Sequence, residues 1–402
     1  MPRTRTSEGK WLKGSDGFGV LSSGHGQGRV GPISCCDLPM RPEAFAAALM
    51  LVGCARSAPD TNRSESALDG RSPAPEASSR SAAPSLRAGP HLFVSNEASG
   101  DVSVIALPAN EVVATIPVGK RPRGIQRSPD GTRVYMTLSG SVAAGPNAKG
   151  PVGPPDRSAD GIGVLDARTA KLIDRLPSGT DPEQFALDAS GAKLFVSNED
   201  AASVSMIDIA SKRVDATLAV GEEPEGVASS PDGRWVYVTS ESSHIVSVID
   251  VRARAVVGQV RVDARPRSVA FAPDSSKAYV TSEVGGTVAV IGLPQHAVRK
   301  TLRLEGEGVR PMGIAIASNG KSAYVTTGHG GTVAVIDATK DEVVGSIQVG
   351  SRPWGIAISP DGGTLYTANG FSDDVSVVDV ASATVTHRVR VGSRPWGVVY
   401  VP

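Results

Sequence analysis

Short segments of alternating apolar and polar residues recur along the chain from residue 90 to its end. A representative unit, residues 224–262, reads PEGVASSPDGRWVYVTSESSHIVSVIDVRARAVVGQVRV. Period-two alternation, β-branched residues and turn-forming Pro, Asp and Gly predict strands over residues 226–229, 235–239, 245–250 and 256–262. Strands joined at this spacing predict a four-stranded antiparallel meander.

The unit repeats with a nearly constant period, and one proline after a short loop marks each repeat. These prolines are separated by 60, 42, 42, 45, 42 and 42 residues. They are Pro122, Pro182, Pro224, Pro266, Pro311, Pro353 and Pro395. A constant period indicates repeated supersecondary units, and the long first interval indicates an insertion from about Ser139 to Asp160.

The two ends of the repeat region complement each other. The region begins with a second-strand segment, LFVSN from Leu92, and ends with PWGVVYV over 395–401, a first strand that nothing follows. Each meander exposes two apolar faces, and either a closed ring or an open stack would cover them; the complementary ends favour the ring. The sequence therefore predicts an all-β fold, a seven-bladed β-propeller with four antiparallel strands per blade. Pairing of the C-terminal strand with the N-terminal blade would close it.

The blocks VYVTS from Val236 and VSVID from Val246 resemble the YVTN-family β-propeller repeat of bacterial and archaeal envelope proteins. The resemblance covers residues 90–402, and what it implies is the architecture rather than a function. The insertion in the second blade and the missing turn glycine after Asp274 depart from the pattern. Neither departure threatens the fold, because surface loops tolerate insertions at low cost.

The N-terminal region does not share the repeat. Met40 opens the segment MRPEAFAAALMLVGC, which resembles a bacterial lipoprotein signal peptide with a lipobox ending at Cys54. The resemblance implies cleavage before Cys54 and lipidation of that residue. We therefore expect 1–39 to be an upstream extension foreign to the protein, 40–53 a signal peptide, 54–89 a disordered tether and 90–402 the propeller. A short buried helix over 44–52 is the alternative.

Net charge, the absence of known catalytic motifs and the composition restrict the functions that the sequence supports. The formal net charge is zero, so the chain as a whole has no electrostatic attraction to nucleic acid. The sequence has no GxSxG, CxxCH, HExxH or GxxxxGK motif, and we expect neither a catalytic constellation nor a cofactor. Gly 45 and Pro 29 with 4% aromatic residues agree with many short strands and tight turns.

Candidate site residues lie on the loops that join fourth to first and second to third strands, which a propeller places at one mouth of its central channel. The residue after each anchoring proline is expected to point toward this mouth. These residues are Arg123, Glu183, Glu225, Arg267, Met312, Trp354 and Trp396. We expect an acidic arc around Glu183 and Glu225, facing arginines that include Arg352 and Arg394. Two exposed tryptophans beside arginines would suit a flat or anionic group, unless they pack over neighbouring prolines.

The second-to-third loops add polar and aromatic residues to the same face: Asn96, Glu97, Asn198, Glu199, Glu241, His244, Glu283, His329, Asn369 and Phe371. Of these, His244 and His329 lie two blades apart. No metal-ligand spacing connects them, and we predict no metal site. The main hypothesis is a cell-envelope binding or scaffolding protein, lipid-anchored and periplasmic or extracellular, whose mouth recognises a ligand or an envelope protein. One alternative is a lactonase-like hydrolase or lyase with acid and base on the same face. Another, less favoured, is binding of nucleic acid or another anionic polymer through the arginines and tryptophans.

Overall fold

The computed structural model describes residues 86–142 and 153–402. The predicted extension, signal peptide and Cys54, with the tether up to residue 85, lie outside the described residues, as does the centre of the insertion. No helix in the described part of the chain is long and apolar enough to cross a membrane.

Twenty-eight strands form seven antiparallel four-stranded sheets. The innermost strands of the blades are β4 (Ile125–Arg127), β8 (Pro182–Leu187), β12 (Pro224–Ser229), β16 (Pro266–Phe271), β20 (Ile314–Ile316), β24 (Pro353–Ile358) and β28 (Pro395–Val401). The second strands are β1 (His91–Asn96), β5 (Arg133–Leu138), β9 (Lys193–Asn198), β13 (Trp235–Ser240), β17 (Lys277–Ser282), β21 (Ser322–Thr326) and β25 (Thr364–Asn369).

The third strands are β2 (Asp101–Ala106), β6 (Gly161–Asp166), β10 (Ser203–Asp208), β14 (Ile245–Asp250), β18 (Thr287–Gly292), β22 (Thr332–Asp337) and β26 (Asp374–Asp379). The outer strands are β3 (Glu111–Pro117), β7 (Lys171–Leu176), β11 (Arg213–Ala219), β15 (Ala255–Arg261), β19 (Ala297–Arg303), β23 (Glu342–Gln348) and β27 (Thr384–Arg390). Short 3-10 helices occur at Arg157–Ala159, Glu199–Ala201 and Gly328–Gly330.

The C-terminal strand β28 closes the ring. It pairs antiparallel with β1, with His91 opposite Val401 and Val94 opposite Val398, in a sheet of order β28-β1-β2-β3. The prediction of a seven-bladed all-β propeller closed by its C-terminal strand is therefore confirmed. The four strands predicted over 226–262 form as one blade, with bounds that differ from the prediction by two residues or fewer.

The core lies between the blades, in apolar layers formed by the second and third strands of adjacent sheets. One such layer joins Phe93 and Val104 of the closing blade to Val134 and Met136 of the next. The outer strands are mostly exposed, as expected for sheet edges that face solvent. Inter-blade packing therefore holds the inner strands, and the loops that precede them, in fixed positions around the axis.

Candidate ligand site at the mouth of the ring

A cavity of about 530 Å³ lies where the loops of all seven blades converge. Three positions of the repeat supply nearly all of its lining. From the residue before the anchoring proline come Arg121, Asp181, Arg265, Arg310, Arg352 and Arg394. From the residue after it come Arg123, Glu183, Glu225, Arg267, Trp354 and Trp396. From the loop after the second strand come Glu97, Ser141, Val142, Glu199, Glu241, Glu283, His329, Gly370 and Phe371.

A left-handed backbone conformation recurs at the position before the proline. Arg352 and Arg394 both have φ of 52°, and Asp181 has φ of 51°, values that non-glycine residues seldom adopt. In this conformation the carbonyl of Arg394 accepts a 2.9 Å hydrogen bond from the backbone N–H of Glu97, and that of Asp181 accepts one from Glu199. The bond joins two of the three lining positions of a blade and fixes their spacing.

Hydroxyl groups of the second strands fix the remaining lining position, the residue after the proline, in the neighbouring blade. A Ser or Thr in the second strand donates to the backbone carbonyl of the residue after the next blade's proline, as Thr239 does to Arg267 at 3.0 Å. Equivalent bonds join Ser95 to Arg123, Thr137 to Glu183, Ser197 to Glu225, Thr281 to Met312 and Thr326 to Trp354. A Cβ at Gly226 would lie 2.2 Å from the Arg267 carbonyl, so only glycine permits this approach.

Most of the predicted site residues meet at this cavity. Nine line it: Arg123, Glu183, Glu225, Arg267, Trp354, Trp396, Arg352, Arg394 and His329. Met312 and His244 are not among the lining residues. The Met312 side chain is only 2% exposed and packs in the core. The His244 Nδ1 accepts a 3.2 Å hydrogen bond from the backbone N–H of Arg265, which holds the ring outside the cavity.

Arginines lie among the carboxylates on the side of the mouth that was expected to be acidic. The Arg267 guanidinium lies 3.1 Å from a Glu225 oxygen and 3.0 Å from a Glu283 oxygen, and it also contacts Glu241. All four residues are buried, and Arg265 adds a 2.6 Å contact to Glu241. A charge-assisted network of this kind satisfies carboxylates that burial would otherwise destabilise.

A second network of ion pairs joins the loops of the first three blades. Arg121 and Arg123 both approach Glu97, at 3.2 and 3.0 Å, and they also pair with Asp181 and Glu183. The expected division into an acidic and a basic arc is therefore too simple. Glu97, Asp181 and Glu183 are each paired with an arginine within the protein.

The tryptophans form a stacked pair rather than two exposed platforms. Trp396 is 4% exposed, and its ring centroid lies 5.6 Å from that of Trp354 with an interplanar angle of 33°. The guanidinium carbons of Arg352 and Arg267 lie 4.7 and 5.2 Å from the Trp354 ring centroid. Because partners within the protein contact both rings, the expectation of two exposed tryptophans available for stacking is wrong.

Glu199 is the carboxyl group of the mouth whose pKa is shifted far above its usual value. Burial, followed by the negative charge of Glu225, raises the pKa of the Glu199 carboxyl from 4.5 to about 7, although Arg123 opposes the change. Ion-pair geometry within the described residues links Glu199 to no arginine. At neutral pH this carboxyl is therefore divided between its protonated and ionised forms.

Glu199 is expected to make stability depend on pH. Between about pH 4.5 and 7 the folded protein keeps a proton that the unfolded chain has released, so stability falls across this interval as the pH rises and is level above it. Glu199→Gln should remove this slope and gain about 1–3 kcal/mol relative to wild type above neutrality. Urea unfolding at several pH values measures the effect, with exposed Glu111→Gln as the control. Parallel pH profiles for wild type and Glu199→Gln would contradict it.

Three carboxylates of the mouth lie close together. Oxygen atoms of Asp181, Glu183 and Glu199 are all within 4.8 Å of one another, a spacing that a cation could share. Arg121 and Arg123 already approach two of the three. Their positive charge occupies the place that a metal would take, so we assign none.

The second-to-third strand loops supply four lining carboxylates, as predicted. They are Glu97, Glu199, Glu241 and Glu283. Each directly follows the second-strand block, as in FVSNE and YVTSE. The prediction omitted Arg265, although it precedes its anchoring proline as Arg352 does.

Comparisons with known proteins agree with the fold. A family model described as lactonase, 7-bladed beta-propeller, matches residues 251–391, and one described as cytochrome D1 heme domain matches residues 155–269, each less than half of the chain. No curated protein matches the chain.

Solved structures resemble the chain along most of its length. Hydrazine synthase of Kuenenia stuttgartiensis is 22% identical with a TM-score of 0.58, covering 69% of this chain and 88% of that one. Putative 6-phosphogluconolactonases from Bacteroides uniformis and Bacteroides fragilis are 18% and 17% identical, with TM-scores of 0.63 and 0.64. Both alignments cover 78% of this chain, and 99% and 98% of those. At these identities the likeness shows the fold alone.

The cytochrome D1 match raises the question of a haem. Haem iron takes axial ligands from His, Cys, Met or Tyr. Within the matched residues 155–269 the only such side chains are Met206 and Tyr237, which are buried in the core, and His244, which lies outside the cavity. The matched segment does not fit a haem at the mouth.

Proposed function

We propose that the protein is a cell-envelope propeller that binds a small polar ligand in the cavity at the mouth of the ring. The observation that carries this proposal is the lining itself. Seven carboxylates and seven guanidiniums line about 530 Å³. The volume is that of a small-ligand pocket, and a lining this rich in charged groups suits a polar rather than an apolar ligand. Hydrogen bonds to the residue before five of the seven prolines, together with those between blades, hold these groups in place before a ligand binds, which lowers the entropic cost of binding.

A thermal-shift screen of small polar metabolites tests this proposal. Gly370 lines the cavity, and an added Cβ would make only ordinary contacts, 3.4 Å to the Pro395 carbonyl. Gly370→Phe should therefore fill the cavity without breaking the fold, whereas Gly345→Phe on outer strand β23, where nothing lies within 4 Å, is the matched control. Ligands should raise the Tm of wild type and of the control but not of Gly370→Phe. Equal shifts in all three proteins, or no ligand at all, would refute the proposal.

Hydrolysis of a lactone is the second candidate, favoured by the raised pKa of Glu199 and supported by the partial match to a lactonase model. In this reaction water adds to the lactone carbonyl and gives its proton to ionised Glu199. The ring C–O bond then breaks, and the leaving alkoxide takes the proton back to give a hydroxy acid. Glu199 lies outside the matched residues 251–391, so its role rests on the geometry of the mouth.

Lactone hydrolysis followed in a pH-stat separates this candidate from binding alone. Activity should rise with pH through about 7 as Glu199 ionises. Glu199→Gln should lower kcat by about 100-fold or more, the size of a general-base effect, while Glu111→Gln on an exposed strand retains it. Unreactive wild type, or an active Glu199→Gln, would leave only the binding function.

We also propose that the mature chain is an envelope lipoprotein with a YVTN-type propeller, anchored through Cys54. The LVGC sequence and the apolar leader before it support the anchor, and the recurring VYVTS and VSVID blocks support the family. Metabolic labelling with an alkyne fatty acid should mark wild type but not Cys54→Ser. Labelling that persists in the variant would place the lipid elsewhere.

A further inference from the structure

One side of the mouth carries positive charge that the protein does not neutralise. Arg310, Arg352 and Arg394 precede the anchoring prolines of three consecutive blades and line the cavity. In the described parts of the chain, Arg352 and Arg394 have no carboxylate at ion-pair distance, and Arg310 reaches Glu283 only at 3.9 Å. The other arginines that line the mouth each lie within 3.2 Å of a carboxylate oxygen, so this segment differs from the rest of the lining; they are Arg121, Arg123, Arg265 and Arg267.

The Arg352 guanidinium is held in place by aromatic rings instead of a carboxylate. Its carbon lies 4.7 Å from the centroid of Trp354 and 4.8 Å from that of Phe371. Burial lowers the pKa of Arg352; the negative charge of Glu283 opposes this change, whereas the positive charges of Arg267 and Arg394 add to it. The guanidinium is thus kept partly out of water among like charges, an arrangement that an anion would stabilise.

The side chains nearby suit an organic anion. Phe371 is half exposed and presents apolar surface beside the guanidinium, with His329 at its edge, 5.8 Å between ring centroids. Burial, followed by the charges of Arg352 and Arg310, lowers the pKa of His329. The local field is therefore positive even though the whole lining is balanced in charge.

We propose that this segment binds a small organic anion, with a carboxylate or phosphate group between Arg352 and Arg394 and an apolar part against Phe371. Guanidinium groups suit both oxyanions because their planar forks donate paired hydrogen bonds. The inference rests on the binding function proposed above and names its ligand class. Glu97 and Glu283, which are themselves paired with arginines, flank the segment, so the unpaired positive charge is confined to a short stretch that suits a single anionic group better than a polymer of repeated negative charges.

Calorimetric titration with phenyl phosphate, benzoate, inorganic phosphate and neutral benzyl alcohol tests the inference. Arg352→Gln and Arg394→Gln should each weaken phenyl phosphate or benzoate at least about tenfold, the effect of one charge-assisted contact. The double variant should abolish binding. Arg252→Gln, the same change on an exposed turn at the opposite face, should bind as wild type does. The tighter of phenyl phosphate and benzoate identifies the oxyanion, and Phe371→Ala should weaken both while leaving inorganic phosphate unchanged.

The outcomes separate this inference from the binding function. If benzyl alcohol binds as tightly as benzoate, if the double variant binds the anions like wild type, or if only a polyanion such as heparin binds, the anion site is refuted. If a neutral ligand from the screen still binds the double variant and not Gly370→Phe, the binding function stands without the anion site. If Gly370→Phe binds phenyl phosphate as wild type does, both the anion site and the proposed binding function of the mouth are refuted. Melting curves establish that each variant is folded, and Arg394→Lys tests the position should Arg394→Gln unfold.

Discussion

Deletion of residues 395–402 is expected to abolish the folded state. The deletion removes β28, whose Trp396, Val398 and Val401 are 4%, 6% and 5% exposed, and leaves β1 with an unpaired edge. Each buried large apolar side chain contributes roughly 1.5–3 kcal/mol. Their combined loss is comparable to the whole stability of many domains, on the order of 5–15 kcal/mol. Circular dichroism melting and size-exclusion chromatography should show an unfolded or aggregated chain.

Deletion of Pro402 alone is the control, because this exposed residue follows the strand and pairs with nothing in β1. Its melting temperature should equal that of wild type. A truncation at residue 394 that melts like wild type would mean that the ring does not depend on its C-terminal strand.

Substitution of Arg267 by methionine is expected to cost about 3–5 kcal/mol near neutral pH, the usual effect of removing one partner from a buried ion pair. Glu225, Glu241 and Glu283 are 5%, 3% and 6% exposed and all contact this guanidinium. Without it their negative charges repel one another in a buried setting. Urea unfolding should show the loss, and the loss should shrink at about pH 5, where orphaned buried carboxylates become protonated more readily.

Arg252→Met makes the same chemical change on an exposed turn between β14 and β15, and it should change stability by less than about 0.5 kcal/mol. Equal, small effects of both substitutions would show that the network around Arg267 contributes nothing to the fold.

The architecture could be predicted from the sequence because every blade repeats the same pattern of apolar, polar and turn residues. Alternation in the second and third strands reflects burial between blades, and the unmatched C-terminal segment from Pro395 could pair only with the segment at His91. Six of the seven lining positions after the prolines also followed from the repeat, since a left-handed residue precedes six of the seven prolines. His244 differs because its imidazole bonds to the next blade's loop, a contact that the repeat pattern does not encode.

Charge pairing across the mouth could not be predicted in the same way. Glu225 lies in β12, whereas Glu241 and Glu283 follow β13 and β17, and their contact with Arg267 depends on how far each side chain extends toward it. The burial of Trp396 likewise depends on Trp354 from the adjacent blade. The repeat period predicts the blade and the loop position of a side chain. Its ion pairs and ring contacts depend on distances between side chains of different blades, which the sequence does not give.

A crystal structure of the protein with the strongest ligand from the thermal-shift screen tests whether the mouth is the binding site. Electron density for that ligand is expected inside the mouth, in contact with the residues that flank the anchoring prolines, among them Arg267 and Arg352. A ligand bound on the outer strands or on the opposite face, with the mouth containing only solvent, would contradict it.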